Sequence, residues 1–157
     1  MATVYIGIGS NLGNREEYLR GAVLEIADIP GVELIAESTV METKAVDFEE
    51  QPDFLNMIIK VRTNLDPHML LKQLLAIENK IGRVRRFPKG PREIDLDILL
   101  YDDIIMDESD LKIPHPEIFN REFIITHLLE LDPGLIEPVS QKKYSEVSSH
   151  DCNKKYQ

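Results

Sequence analysis

The sequence predicts an α+β domain with one antiparallel sheet, its elements following the β-α-β-β-α-β order of the ferredoxin-like split unit. Three observations carry that expectation. Two segments have helical periodicity and each opens on a capping residue; strand-type segments flank them; and glycine or proline stands at the breaks.

Val4-Tyr5-Ile6-Gly7-Ile8 forms the first strand, and the turn-rich Gly9-Ser10-Asn11-Leu12-Gly13-Asn14 ends it. Asn14 caps a helix with Glu17 as its capping-box partner, and Leu19, Val23 and Ile26 recur at helical spacing until Pro30-Gly31. An extended stretch runs from Val32 to about Val40, followed by a loop with Lys44, Asp47 and Pro52. The next strand spans Leu55 to Thr63, where Met57, Ile59 and Val61 alternate with Asn56, Lys60 and Arg62. Asp66-Pro67 opens a second helix as cap and N1 proline. Leu70, Leu71, Leu74, Ile77 and Ile81 give that helix its apolar face, and Gly82 stops it. After a basic loop, Ile94 to Tyr101 is the fourth strand. Two short β pieces near Ile104 and Leu111, a Pro114-His115-Pro116 turn and a helix from Arg121 to Leu131 complete the pattern, with a polar tail from about 139.

The chain has 157 residues with a 43% hydrophobic fraction, which suits a single domain, 1–157, with one substantial core. A formal net charge of -10 argues against a general nucleic-acid binder, since that work needs cations against phosphates. Cys152 is the only cysteine, so no internal disulfide is expected. With no charged leader before an apolar core and no apolar run near the roughly 20 residues of a membrane span, the reading is cytoplasmic, with no membrane partner.

Ile94-Asp95-Leu96-Asp97-Ile98 is the sharpest chemical feature. Strand residues two apart share a face, so Asp95 and Asp97 point together. At about 6 Å and an effective dielectric near 20, two carboxylates repel by roughly 3 kcal/mol, a cost that a divalent cation reverses. Hard oxygen donors suit Mg²⁺, which bridges readily to phosphates. An isolated D-x-D is more often a pair of solvated acids, but the neighbouring segment contains Arg83, Arg85, Arg86, Lys89 and Arg92 with no acid. Such a loop can grip a phosphate chain, or it can pair with the acidic stretch Asp102, Asp103, Asp107, Glu108 and Asp110.

Gly7 to Gly13 departs from G-x-G-x-x-G by one position, and G-x-x-x-x-G-K-[ST] is absent, so ordinary dinucleotide and P-loop cradles are excluded. The segment reads as a tight strand-to-helix connection. His115, held between two prolines, offers a donor to phosphate. Phe54 and Phe123, beside Asn56 and Arg121, offer flat faces for a heterocycle, although core packing is the commoner fate of each alone. His68, His127 and His150 have no partner at ligand spacing and receive no site.

Taken together, Gly9-Ser10-Asn11-Leu12-Gly13, Asp53-Phe54-Leu55-Asn56, Gly82-Arg83-Val84-Arg85, Gly90-Pro91-Arg92-Glu93-Ile94-Asp95-Leu96-Asp97-Ile98-Leu99 and Pro114-His115-Pro116 resemble the 6-hydroxymethyl-7,8-dihydropterin pyrophosphokinases, from about Thr3 to Pro138. The resemblance implies a three-layer α-β-α elaboration of the ferredoxin-like core; separately, a monomer is expected rather than an oligomer. It implies transfer of pyrophosphate from ATP to the pterin hydroxymethyl group, giving AMP, in folate biosynthesis. It further implies two Mg²⁺ ions on Asp95 and Asp97, catalytic Arg83 and Arg92, and ATP contacts from Glu78, Arg85, Arg92, Ile98, His115 and Arg121. The pterin would meet Phe54, Phe123, Asn56 and the backbone around Thr43 to Val46. Lys89 stands where many members carry an aromatic, Pro116 where tyrosine is frequent, and Asp110 and Lys112 where basic and hydroxyl side chains often serve ATP. Two other classes of answer are a non-catalytic module and a nucleotidyltransferase; the released product, nothing or pyrophosphate against AMP, separates them.

Overall fold

The computed structural model describes residues 1–44, 52–82 and 92–147. Its elements are β1 (Ala2–Ser10), α1 (Arg15–Ala27), β2 (Val32–Glu37), β3 (Met41–Thr43), β4 (Phe54–Thr63), α2 (Pro67–Ile81), β5 (Asp95–Tyr101), β6 (Met106–Asp107), β7 (Lys112–Ile113) and α3 (Glu122–Leu131). Arg83, Arg85, Val46, Lys89 and Cys152 lie outside the described residues.

The helices begin and end where local chemistry directs. The Asn14 side chain accepts from the Glu17 N–H at 3.2 Å, and the Asp66 side chain from the Met69 N–H at 2.8 Å, each satisfying a helix donor that has no intrahelical acceptor. Gly82 closes α2 at φ 108, a left-handed conformation that glycine adopts without a Cβ penalty.

Five strands form one antiparallel sheet in the order β2-β4-β1-β5, with β3 also on β4, and β6 and β7 pair as a separate two-stranded antiparallel hairpin. Val4, Ile6 and Ile8 point to one face and pack with Leu19, Val23 and Ile26 of α1 and Leu70, Leu74 and Ile77 of α2. Tyr5 points to the other, with Ile58, Leu99, Leu100 and Ile124 and Leu128 of α3. Helices therefore cover both faces, which is why β4 is buried on both sides at Met57, Ile58 and Ile59. Partners in register point to the same side of a sheet. Gly7 stands between Ile58 and Asp97, and Gly9 between Asn56 and Asp95. Two residues without side chains thus leave a trough on the α3 face of the central strand, with the acid pair on its wall. The register shift between Tyr5 and Ile6 makes Leu99 an extra residue in β5, so Leu99 and Leu100 both reach the α3 core while Asp95 and Asp97 keep facing the trough.

Three local expectations are corrected. The stretch from Val32 to Val40 is strand only to Glu37, and a separate β3 pairs with the start of β4. The strand expected from Ile94, β5, opens at Asp95. The segment expected as a polar tail from 139 packs through residue 147: Tyr144 is buried in the α3 core, and the buried Glu137 carboxylate accepts from the Val139 and Ser140 N–H groups.

Candidate active site

A cavity of about 230 Å³ fills the trough, lined among others by Gly7, Gly9, Phe54, Asn56, Arg92, Asp95, Asp97, His115, Arg121 and Phe123. A second, of about 210 Å³, lies along β5 and the β6–β7 hairpin, lined among others by Leu71, Ile98, Asp110 and Pro116. Asp97 and His115 belong to both linings. The two chambers meet at this carboxylate and imidazole.

In the first chamber, Phe54, which opens β4, and Phe123 of α3 both line the trough. The Asn56 side-chain N–H donates to Thr43 Oγ1 at 2.6 Å, joining β3 to β4 beside Phe54. A Cβ on Gly9 would approach Asn56 Oδ1 to 3.2 Å and the Phe54 ring to 3.7 Å, so this glycine leaves room for that arrangement. The segment read as only a tight connection therefore also lines the cavity.

Arg92 donates from Nη1 to Asp95 Oδ2 at 3.1 Å, and its guanidinium lies 5.6 Å from the Phe54 ring centroid. Its backbone is held by Asn11, whose Oδ1 accepts the Arg92 N–H at 2.8 Å while its Nδ2 donates to the Pro52 carbonyl at 3.0 Å. Asn11 is itself buried. One amide thus secures the residues entering β4 and β5.

His115 is fixed by its hydrogen bonds. The Glu117 N–H donates to His115 Nδ1 at 3.1 Å, so the neutral ring carries its proton on Nε2, which lies 3.8 Å from Asp97 Oδ1. Burial pushes the His115 pKa down, with Arg121 acting in the same direction and Asp95 and Glu117 against it. The peptide bond Ile113-Pro114 is cis, and the His115 N–H donates to the Leu99 carbonyl at 2.9 Å.

Desolvation by the surrounding protein holds the Asp97 carboxyl well above the ordinary carboxylate range, although 42% of its side chain is open to the cleft. Repulsion from Asp95 and Glu78 adds to this, and Arg121 and Arg92 oppose it. Glu78 is buried in α2 with Oε2 accepting the Leu96 N–H at 2.8 Å, which ties the helix to β5 behind the acids. Asp95 and Asp97, side by side on the cavity wall, offer the hard oxygen donors that suit Mg²⁺. Asp95 and Asp97 fit that ion. Arg121 lies 3.7 Å from Glu117 on the far wall, and Ile98 is buried in the helix-bearing core while edging the second chamber.

The structure also brings His68 to Glu108 and Asp110, with one ligand atom of each within 4.8 Å of the others. All are exposed, and His68 Nε2 is 2.5 Å from Glu108 Oε2. Forty residues separate that histidine from its partner, so no spacing rule could expose the cluster.

Two chambers meeting at a carboxylate suit a reaction between two small molecules, and acids faced by arginines suit one in which phosphate moves: the class is a phosphotransferase. The sequence pattern of the 7,8-dihydro-6-hydroxymethylpterin-pyrophosphokinase family matches residues 5–133, and the chain belongs to that family. It is 42% identical over 156 residues to the 2-amino-4-hydroxy-6-hydroxymethyldihydropteridine pyrophosphokinase of Aquifex aeolicus, covering 99% of this chain and 96% of that one. Identity to the protein of the same name from Haemophilus influenzae is 41% over 141 residues, covering 90% and 88%. A crystal structure of an HPPK-DHPS in complex with substrates superposes with a TM-score of 0.72 at 15% identity; it covers 99% of this chain, which spans 44% of the other's length, and shares its fold. The chain is a pyrophosphokinase of folate biosynthesis, transferring pyrophosphate from ATP to the hydroxymethyl group of the dihydropterin.

Proposed function

We propose that the transfer occurs across Asp97, with the pterin in the trough and ATP along β5. The observation that carries this reading is the pair of residues, Asp97 and His115, common to both chambers. The pterin ring would stack between Phe54 and Phe123, with Asn56, Thr43 and the backbone toward Val46 reading its polar edge. The adenosine side would pack on Ile98, and the phosphates would meet Arg85, Arg92, His115 and Arg121. Glu78 would serve the same site through β5, whose Leu96 N–H it holds.

Asp95 and Asp97 would hold two Mg²⁺ ions, which when bound supply charge neutralisation for the triphosphate and its leaving group. Arg92, bonded to Asp95 in this structure, would turn to the phosphates once that carboxylate is otherwise engaged. His115 would donate its Nε2 proton in a hydrogen bond to phosphate, remaining neutral because burial depresses its pKa. Arg83 and Arg92 would stabilise charge on the transferred group. The hydroxymethyl oxygen releases its proton to water as it bonds to the β-phosphorus, the bond from that phosphorus to the α–β bridging oxygen breaks, and AMP departs. Nothing covalent is asked of the protein; alignment and charge are its contribution.

The strand order and helices on both faces support a three-layer variant of the ferredoxin-like fold. The reading includes a single domain over 1–157 that acts as a monomer in the cytoplasm. No helix among the described residues is long and apolar enough to cross a membrane. Incubation with Mg-ATP and the reduced hydroxymethyl-pterin, followed by nucleotide identification, tests the reading: AMP must appear and must vanish when the pterin is omitted. Release of pyrophosphate instead would make the chain a nucleotidyltransferase. Persistence of AMP formation in both Asp95→Ala and Asp97→Ala would remove the acids from the mechanism.

A further inference from the structure

We propose that Arg15 is a positioning residue for the pterin, acting from outside the cavity by fixing the mouth of the β3–β4 hairpin. The inference rests on the placement of the pterin beside Thr43, Phe54 and Asn56. Arg15 is the first residue of α1 and does not line the cavity. Its Nη1 donates to the Asp53 carbonyl at 2.8 Å, and its Nη2 pairs with Glu42 Oε2 at 2.8 Å. Glu42 precedes Thr43 in β3, and Asp53 precedes Phe54 in β4; Thr43 and Phe54 are themselves a register pair. One planar guanidinium therefore grips the two strands at adjoining positions where the hairpin opens, and its fork fixes the angle between the two bonds.

Helix stability does not account for this arginine. A cation at the first position of a helix meets the positive end of the macrodipole, where acids such as Glu16 and Glu17 are favoured. The ion pair adds little stability either, because the side chains are 30% and 53% exposed and water screens them. Its effect is on geometry. With only three residues, β3 has a short ladder to hold it, and any drift away from β4 stretches the 2.6 Å bond between Asn56 and Thr43. The Asn56 amide is then free to rotate, and the edge that reads the pterin loses its register with Phe54. Among the described residues, none of this hairpin lines the nucleotide chamber.

The test uses the full chain and the variants Arg15→Ala, Arg15→Lys, Glu42→Gln and Phe54→Ala. Affinity for 6-hydroxymethylpterin is read from its fluorescence, alongside KM for the dihydropterin, KM for Mg-ATP, kcat and Tm. We expect Arg15→Ala to weaken the pterin about tenfold, the scale of one lost hydrogen bond, with KM for Mg-ATP within about twofold and Tm little changed. Lysine should restore part of the loss, since it reaches one acceptor but cannot fork to both. If Phe54→Ala weakens the pterin and Arg15→Ala does not, the clasp is overturned and the site stands. If Phe54→Ala has no effect, the site reading fails and the clasp fails with it. A rise in both KM values in step with a loss of Tm would make Arg15 a general structural residue and overturn the proposal. Should Arg15→Ala not fold, Arg15→Lys and Glu42→Gln decide: a raised pterin KM with an unchanged Mg-ATP KM supports it, and an unchanged pterin KM in both defeats it.

Discussion

A single absent methyl group shapes the trough at Gly9. An alanine Cβ there would press on Asn56 Oδ1 at 3.2 Å, tighter than ordinary contact, and turn the amide that Thr43 accepts. We expect Gly9→Ala to weaken pterin binding by about 10- to 100-fold, the range of one disrupted buried hydrogen bond, while Mg-ATP binding holds; separate titrations of the two ligands check it. Asp97 gives the opposite trade. Because its folded pKa is raised, the native state binds this proton more tightly than the unfolded chain, so without Mg²⁺ its ionised form destabilises the fold at neutral pH. Stability is recovered as pH falls through the raised pKa toward the ordinary value of 3.8. Asp97→Asn should therefore raise the metal-free Tm at pH 7.5 and flatten this pH dependence while abolishing AMP formation; thermal melts against pH and a turnover assay measure the two effects. The pairing of Asp95 with Asp97 was legible in the sequence because strand geometry alone dictates it. Asn11 and Glu78 were not legible in their roles as braces, since the first meets Arg92 across 81 residues and the second meets Leu96 across 18.

At the scale of elements, capping chemistry placed α1 and α2, and its loss has a measurable cost. Asp66→Ala removes the side-chain acceptor for the Met69 N–H and should lower stability by about 1 kcal/mol in urea unfolding, without altering KM for either substrate. Helix α3 contains a less obvious liability. His127 is fully buried, its ring nitrogens have no hydrogen-bond partner among the described residues, and it packs edge-on near Phe123 with centroids 6.2 Å apart. Burial depresses its pKa below 6.5, with Glu130 opposing. The unfolded chain then takes up a proton that the native state refuses, so stability is fully present above about pH 6.5 and is lost as pH falls toward the folded pKa. His127→Leu should remove that acid-side loss; urea midpoints at pH 7.5 and 5.5 for both proteins test it. Periodicity revealed α3 but not this histidine's isolation, which depends on what the sheet and C-terminal segment pack around it. Strand β3 escaped for a related reason: three residues are too few to show a period, and only pairing with β4 defines them.

For the whole molecule, the order β2-β4-β1-β5 does what no local motif announces: it sets β1 between the strand bearing Asn56 and the strand bearing the acids. The composition and element order of the core could be read from the chain because each follows from nearest neighbours along it. The trough could not, because it requires Gly7 and Gly9 to fall opposite residues of two distant strands. Mg²⁺ added at pH 7.5 should raise Tm by relieving repulsion concentrated at Asp97, and neither Asp97→Asn nor Asp95→Asn should show the full rise; calorimetry with and without the ion provides the check.

With the ligands placed as proposed, Asp97 and His115 would form a party wall between nucleotide and heterocycle, and any coupling across it is reciprocal. Whatever factor the nucleotide contributes to the grip on the heterocycle, the heterocycle must return to the nucleotide, since both routes around the binding cycle end at the same ternary complex. An antagonist shaped for either compartment would then change in potency with the filling of its neighbour by the same factor as that coupling.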